Sequence, residues 1–95
     1  MTRKAPLGSP GALHHIIVRG IERRSIFRDG TDYDDFISRL ENTLGESQTP
    51  CLAWALMRNH FHLLLRTGLT PISTVMQRLL TGYALSFNRR RRRPR

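Results

Sequence analysis

The apolar residues of the first half of the chain follow two different periods. Residues 13–20, LHHIIVRG, are rich in β-branched side chains and end at a glycine, which is typical of a strand. In residues 29–45 the apolar side chains recur three and four positions apart, which predicts an amphipathic helix. Asp29 or Thr31 is the expected N-cap, and Gly45 is the expected C-terminal stop.

The second half of the chain begins with two apolar runs of strand length. Residues 51–57, CLAWALM, are separated from residues 60–66, HFHLLLR, by the polar pair Arg58 and Asn59. Two such runs joined by a short polar connection predict a hairpin of antiparallel strands.

A second helix follows, with Thr70 as the expected cap and Pro71 at its first position. Its apolar stripe extends to Phe87, and Asn88 with the following arginines is expected to end it. The order strand, helix, strand, strand, helix predicts an α+β fold, a ferredoxin-like βαββα(β) sandwich. Its antiparallel sheet is expected to carry both helices on one face and to lack the final strand.

The length of 95 residues suits one small domain. We divide it into an irregular lead-in (1–12), a core domain (13–88) and an Arg-rich tail (89–95). No apolar run is long enough for a membrane span, and no apolar stretch follows the basic N-terminus as in a secretory signal. The single cysteine, Cys51, has no partner for an internal disulfide, which favours a cytoplasmic location.

The positive charge of the chain is local. Of a formal net charge of +9, six charges come from arginines in residues 89–95, which leaves +3 for the rest. Residues 29–46 hold six acids and one base, whereas the segment before them is basic; its arginines are Arg19, Arg23, Arg24 and Arg28. This asymmetry predicts a surface that meets DNA or RNA. The alternative is a solvated basic surface with a disordered tail.

Two histidines interrupt the apolar run of the third strand. His60 and His62 alternate with Phe61, so their rings share one face and lie about 7 Å apart along the strand. The face of Phe61 is apolar and is expected to lie under the helices, which leaves both imidazoles on the open face. There they can bind one divalent metal ion. The alternative is a pair of partly exposed histidines without a metal.

The first strand supplies two further histidines. His15 shares a face with Ile17 and Arg19 and is expected beside His60 and His62, as a ligand or a substrate contact; the alternative is a strand-end histidine without a role. His14 points the other way, toward the helices or the strand end. Other chemistries find no support, because the sequence has no CxxC or HxxxH zinc pattern, no readable nucleophile–base pair and no Gly-rich phosphate loop.

Three segments together resemble a known family. HHIIVRGIERRSIFRD, CLAWALMRNHFHLLLRTG and GYALSFNRR are similar to the HUH single-strand transposases. Within these, the small insertion-sequence (IS-type) and REP-associated tyrosine transposases are the nearest in pattern, over roughly residues 11 to 90 of the chain.

The resemblance implies a bacterial, metal-dependent enzyme that cleaves and rejoins single-stranded or hairpin DNA through a phosphotyrosine link. It implies that His60 and His62 bind Mg²⁺ or Mn²⁺, and that the protein forms a homodimer. It also implies that basic residues contact the DNA backbone; these are Arg19, Arg23, Arg24 and Arg58, the last at a position where relatives often carry proline.

One departure concerns the nucleophile. The family places its tyrosine on a further helix after a fourth strand, which lies beyond Arg95, and Tyr33 and Tyr83 both fall on apolar helix faces. We therefore expect a truncated copy without strand cleavage of its own. The alternative is a non-catalytic nucleic-acid-binding module, with the Arg-rich tail either contacting phosphates or representing an out-of-frame end.

Overall fold

The computed structural model of the protein describes residues 11–91. Most of the lead-in (1–10) and the last four residues of the Arg-rich tail (92–95) lie outside the described residues. The elements are β1 (Leu13–Arg19), a short 3-10 turn (Ile21–Arg23), α1 (Gly30–Ser47), β2 (Cys51–Met57), β3 (His60–Arg66) and α2 (Ile72–Arg91). The predicted α+β class and the order of its strands and helices are confirmed.

The three strands form one antiparallel sheet in the order β1-β3-β2. This order is compatible with the predicted ferredoxin-like fold, in which the first and third strands are neighbours. β3 is therefore central, and its residues face partners on both sides: His62 lies opposite Ile17 of β1 and Ala55 of β2.

One face of the sheet is covered by the two helices. Phe61, Leu63 and Leu65 of β3 have no exposed surface and pack with Phe36 of α1 and Leu79 of α2. Burial of each such side chain contributes about 1.5–3 kcal/mol. The period-two prediction for β3 is therefore confirmed, and the alternate residues of this strand lie on the uncovered face.

Phe27 is a central core residue that the sequence pattern did not indicate. Its ring stacks on Tyr33 with centroids 4.5 Å apart and meets Phe36 edge-on at 5.2 Å. The Phe27 amide and the preceding amide of Ile26 both donate to the carbonyl of Arg58, at 3.1 and 2.8 Å. The basic loop after β1 is thus anchored in the core and fastened to the β2–β3 turn.

The ends of α1 only partly follow the prediction. Asp29 is the N-cap, and its carboxylate accepts from the Asp32 amide at 3.0 Å. The predicted stop at Gly45 is wrong, because the helix continues to Ser47 and the left-handed residue is Gln48. The Ser47 hydroxyl donates to the Thr43 carbonyl at 2.6 Å, which helps to satisfy the last turn without a glycine.

The start of α2 also differs from the prediction. Its first i→i−4 hydrogen bond runs from the Val75 amide to the Pro71 carbonyl, so Pro71 precedes the first helical residue. The helix continues past Asn88 and ends within the arginine run, at Arg91. Cations in the last turn are favourable at the negative end of the helix dipole, and Arg90 and Arg91 bind acids of α1.

Replacing Gly20 by alanine is expected to lower the free energy of unfolding by about 2 kcal/mol or more. A Cβ at this position would lie 2.0 Å from the Arg24 carbonyl oxygen, so the loop after β1 would have to move. Gly45→Ala is the matched control, because its added Cβ would meet nothing within 4 Å among the described residues beyond its own stretch of helix, and alanine favours the helix by roughly 0.5–1 kcal/mol. Urea denaturation compares the two variants, and equal midpoints would contradict this account.

Candidate metal and nucleic-acid site

The central strand places two imidazoles side by side on the open face of the sheet. His60 and His62 are half-buried, and their ring centroids are 5.4 Å apart with the planes near perpendicular. Because the strand is hydrogen-bonded on both sides, the backbone under both rings is held in place.

His15 of β1 lies against His62. The two rings are stacked with centroids 5.2 Å apart, and Nε2 of His15 lies 3.0 Å from Nδ1 of His62. This position agrees with the expectation that His15 neighbours the pair. His14 lies opposite Leu65 on the covered face, as its alternation predicted, and takes no part in the site.

Asn59 holds the ring of His60 from the β2–β3 turn. Its side-chain oxygen Oδ1 lies 2.8 Å from Nδ1 of His60. The backbone carbonyl of Asn59 also accepts from the Gly20 amide at 2.9 Å, which ties the turn to the end of β1. Sequence reasoning did not assign Asn59 a role, although its place directly before His60 was a usable signal.

A polar cleft adjoins His60. Its lining residues are Arg19, Gly20, Asn59 and His60. The first two lie at the end of β1, and the other two lie in the β2–β3 turn and at the start of β3. The guanidinium of Arg19 is exposed at this edge, so an anion in the cleft would meet both a cation and an imidazole.

The other arginines predicted to contact DNA lie in the loop after β1 and in the β2–β3 turn. Arg24 and Arg58 are both exposed, and Nε of Arg58 donates to the Ser25 hydroxyl at 3.1 Å. Arg23 ends the short 3-10 turn, and its side chain lies outside the described part of the molecule. The structure therefore brings Arg19 next to the histidines, with Arg24 and Arg58 on the loops beside it.

An apolar hollow of about 340 Å³ lies on the other side of the histidine pair. His15 and His62 form one wall, and the small residues Ala53 and Ala55 of β2 line it together with Leu64. The site thus has a polar end and an apolar end with imidazoles between them.

The histidines of the open face can supply two ligands to a divalent metal ion, but not a complete set. Within residues 11–91, no group of three or more His, Cys, Asp or Glu side chains is arranged to hold a metal ion. The pair His60 and His62 offers two ligands, and in both rings it is Nδ1 that faces a protein partner, which leaves Nε2 for an ion. Ligating histidines ordinarily have such a partner on their second nitrogen.

Both tyrosines lie away from this site, as the sequence pattern predicted. The Tyr83 hydroxyl is in the covered core and donates to the Ile26 carbonyl at 2.7 Å. Burial, and after it the carboxylate of Asp32, raises the pKa of Tyr83 far above its ordinary value, which disfavours the nucleophilic phenolate. Tyr33 is half-buried and stacks on Phe27.

Comparison with known proteins identifies the family of this chain. The family described as "Transposase IS200 like" matches residues 10–95, which is nearly the whole chain. The chain belongs to the IS200-like transposase family. No curated protein and no solved structure matches it.

Membership of the IS200-like transposases confirms the resemblance that the histidine strand and the HHIIVRG strand carried. It supports a transposase-type function with DNA as the partner. In the part of the chain that the structure describes, neither helix has the length and hydropathy to cross a bilayer.

Proposed function

We propose that the open sheet face binds single-stranded or hairpin DNA and that His60 and His62 hold a divalent metal ion against a backbone phosphate. The observation that carries this proposal is the pair of imidazoles beside the polar cleft of Arg19, each with Nδ1 against a protein partner and Nε2 without one among residues 11–91. The reaction class is the metal-dependent strand cleavage and rejoining of DNA transposition.

The residues of the site divide the work. Arg19 attracts the phosphate into the polar cleft, and the sheet holds the two imidazoles side by side on one face. When bound, Mg²⁺ or Mn²⁺ would polarise a phosphoryl oxygen and orient the phosphodiester. Mg²⁺ prefers oxygen ligands, so Mn²⁺ is the more suitable probe of a site built from two imidazoles.

We further propose that these 95 residues bind DNA without cleaving it. Strand cleavage by this family's expected route needs a tyrosine hydroxyl beside the metal, and Tyr83 and Tyr33 are both part of the covered core. A labelled single-stranded hairpin incubated with the protein and Mn²⁺ is therefore expected to be bound but not cleaved. A covalent protein–DNA adduct would contradict this part of the proposal.

Single-stranded DNA binding is expected to depend on Arg19. Replacing it by alanine removes a phosphate contact, so the affinity should fall and the slope of log K against log salt should become shallower by about 0.7. Fluorescence anisotropy of a labelled oligonucleotide at several salt concentrations measures both. Arg78→Ala is the control, because it removes the same charge from an exposed position on α2, far from the open face. Equal effects of the two changes would argue against a defined DNA site.

A non-catalytic nucleic-acid-binding module is the second candidate, favoured by the exposed arginines of the loop after β1. Metal dependence separates the two candidates, because a module of this kind would bind DNA equally with and without Mn²⁺. A homodimer also stays a proposal. Among the described residues the outer edge of β1 has no paired strand, and unpaired edges favour strand association.

A further inference from the structure

The two imidazoles of the site are held by the same ring nitrogen. Nδ1 of His60 faces Oδ1 of Asn59 at 2.8 Å, and Nδ1 of His62 faces Nε2 of His15 at 3.0 Å. The partners come from different elements, the hairpin turn and β1, so the shared pattern does not follow from the alternation of β3 alone.

We propose that Asn59 and His15 are positioning residues that keep His60 and His62 in the tautomer with the proton on Nδ1. This inference rests on the proposed metal site, since its purpose is to present the Nε2 lone pair of each ring to the ion. A neutral imidazole has one N–H and one acceptor nitrogen, so fixing the proton on Nδ1 fixes the acceptor on Nε2.

The partner of His60 determines the direction of its hydrogen bond. The carboxamide oxygen of Asn59 has lone pairs and no hydrogen, so Nδ1 of His60 must donate to it. The Asn59 backbone is itself held by the hydrogen bond from the Gly20 amide, which limits how far the turn can move.

The contact between His15 and His62 allows two hydrogen-bond directions, and only one of them leaves Nε2 of His62 free for a metal ion; we assign that direction. If His15 donated from Nε2, the neutral ring of His62 would carry its own proton on Nε2 and have no lone pair there. If His62 donates from Nδ1, its Nε2 is free and His15 is the acceptor. Since His15 uses Nε2 in this contact, and no three-ligand set exists in residues 11–91, His15 acts on His62 rather than as a third ligand.

The tautomers can be read directly in the metal-free protein. Long-range ¹⁵N–¹H NMR of labelled imidazoles, at a pH where the rings are neutral, distinguishes protonated from unprotonated Nδ1. Wild type is expected to show protonated Nδ1 in His60 and His62. Asn59→Ala should convert only His60 to a tautomer mixture, and His15→Ala only His62. Asn59→Asp keeps an oxygen acceptor and should keep the His60 tautomer, which a purely structural role of the amide would not require.

Metal affinity is the second measurement on the same proteins. Loss of a partner of a ligating histidine typically costs 10–100-fold in metal affinity, so about this loss is expected for Mn²⁺ with Asn59→Ala and with His15→Ala. Asn59→Asp should bind Mn²⁺ at least as tightly as wild type. Asn42→Ala, an exposed asparagine of α1, is the control and should change neither measurement.

The outcomes separate this inference from the proposed function. Protonated Nε2 in wild-type His60 or His62, or unchanged tautomers and unchanged Mn²⁺ affinity in both alanine variants, would overturn the positioning roles. The predicted tautomer changes in a protein that binds no Mn²⁺ would support the positioning roles and overturn the metal site.

Discussion

Replacing Asp32 by alanine is expected to destabilise the fold by about 3–5 kcal/mol, because it removes one partner of a buried ion-pair cluster. The Asp32 carboxylate has no exposed surface and accepts from the Arg28 amide at 2.8 Å, from Arg90 at 2.7 Å and from Arg91. Arg90 would keep only its ion pair with Asp35, and Arg91 only the longer contact of 3.9 Å with Asp29, so both partly buried guanidinium groups would lose a close balancing charge. Urea denaturation, followed by circular dichroism, measures the loss.

Asp34→Ala is the matched control for this change. Asp34 lies two residues further along α1, still near its N-terminal end, and its side chain is exposed. Its replacement is therefore expected to change the free energy of unfolding by no more than about 0.5 kcal/mol. Similar losses in the two variants would show that the helix dipole, and not the cluster, accounts for the effect.

The pH dependence of unfolding gives a second measurement of the same cluster. Burial opposes the ionisation of Asp32, but the hydrogen bonds from the Arg28 amide and Arg90, and the charges of Arg91 and Arg90, outweigh it, so the pKa lies below the ordinary 3.8. The unfolded chain binds the proton more tightly. The stabilisation is therefore complete well above about pH 4 and is lost as the pH falls through the lowered pKa of the folded state. Asp32→Ala should show a flatter acid limb than wild type.

Replacing both His60 and His62 by alanine is expected to abolish the part of DNA binding that depends on Mn²⁺. The metal-independent part should remain, because Arg19 and the other loop arginines are unchanged and their contacts with phosphate need no ion. Both rings lie on the uncovered face, so the core of Phe61 and Leu63 should stay folded. Anisotropy titrations with and without Mn²⁺ measure the two parts.

His14→Gln is the matched control for the double variant. It removes one imidazole from the same sheet, but on the covered face opposite Leu65. Its Mn²⁺-dependent binding should equal that of wild type. If His14→Gln lost as much as the double variant, the histidine pair would have no special role.

The face of each β3 residue could be predicted from sequence because period-two alternation needs only local information. A buried Phe61 row obliges His60 and His62 to share the other face, wherever the strand lies in the sheet. The place of His15 beside them followed from one added assumption, that the first and third strands are neighbours. For these residues the sequence pattern was enough to predict on which face of the sheet each side chain lies.

The features that were missed depend on contacts between distant segments. Phe27 lies in a stretch dominated by arginines, and only its position under the α1–α2 pair makes it a core residue. Arg90 looks like one of a row of surface charges, yet it meets Asp32 across 58 positions of sequence. Neither the periodicity nor the composition of a segment indicates which distant residues its side chains contact in the fold.

The arginine cluster also changes the account of the Arg-rich tail. Arg90 and Arg91 are bound to acids of α1 and, in the case of Arg91, stacked over Phe87 at 4.6 Å, so they belong to the folded domain. Their charges are largely compensated within the protein. Arg19 and the loop arginines are therefore better candidates for contacting DNA than the described end of the arginine run.

The most direct test of the proposed site is a titration of the wild-type protein with Mn²⁺, followed by electron paramagnetic resonance of the free ion, beside the same titration of the His60→Ala, His62→Ala double variant. We predict that wild type removes one equivalent of Mn²⁺ from solution and that the double variant, folded by circular dichroism, removes none. Equal uptake by the two proteins, or no uptake by wild type, would contradict the assignment of His60 and His62 as the metal ligands.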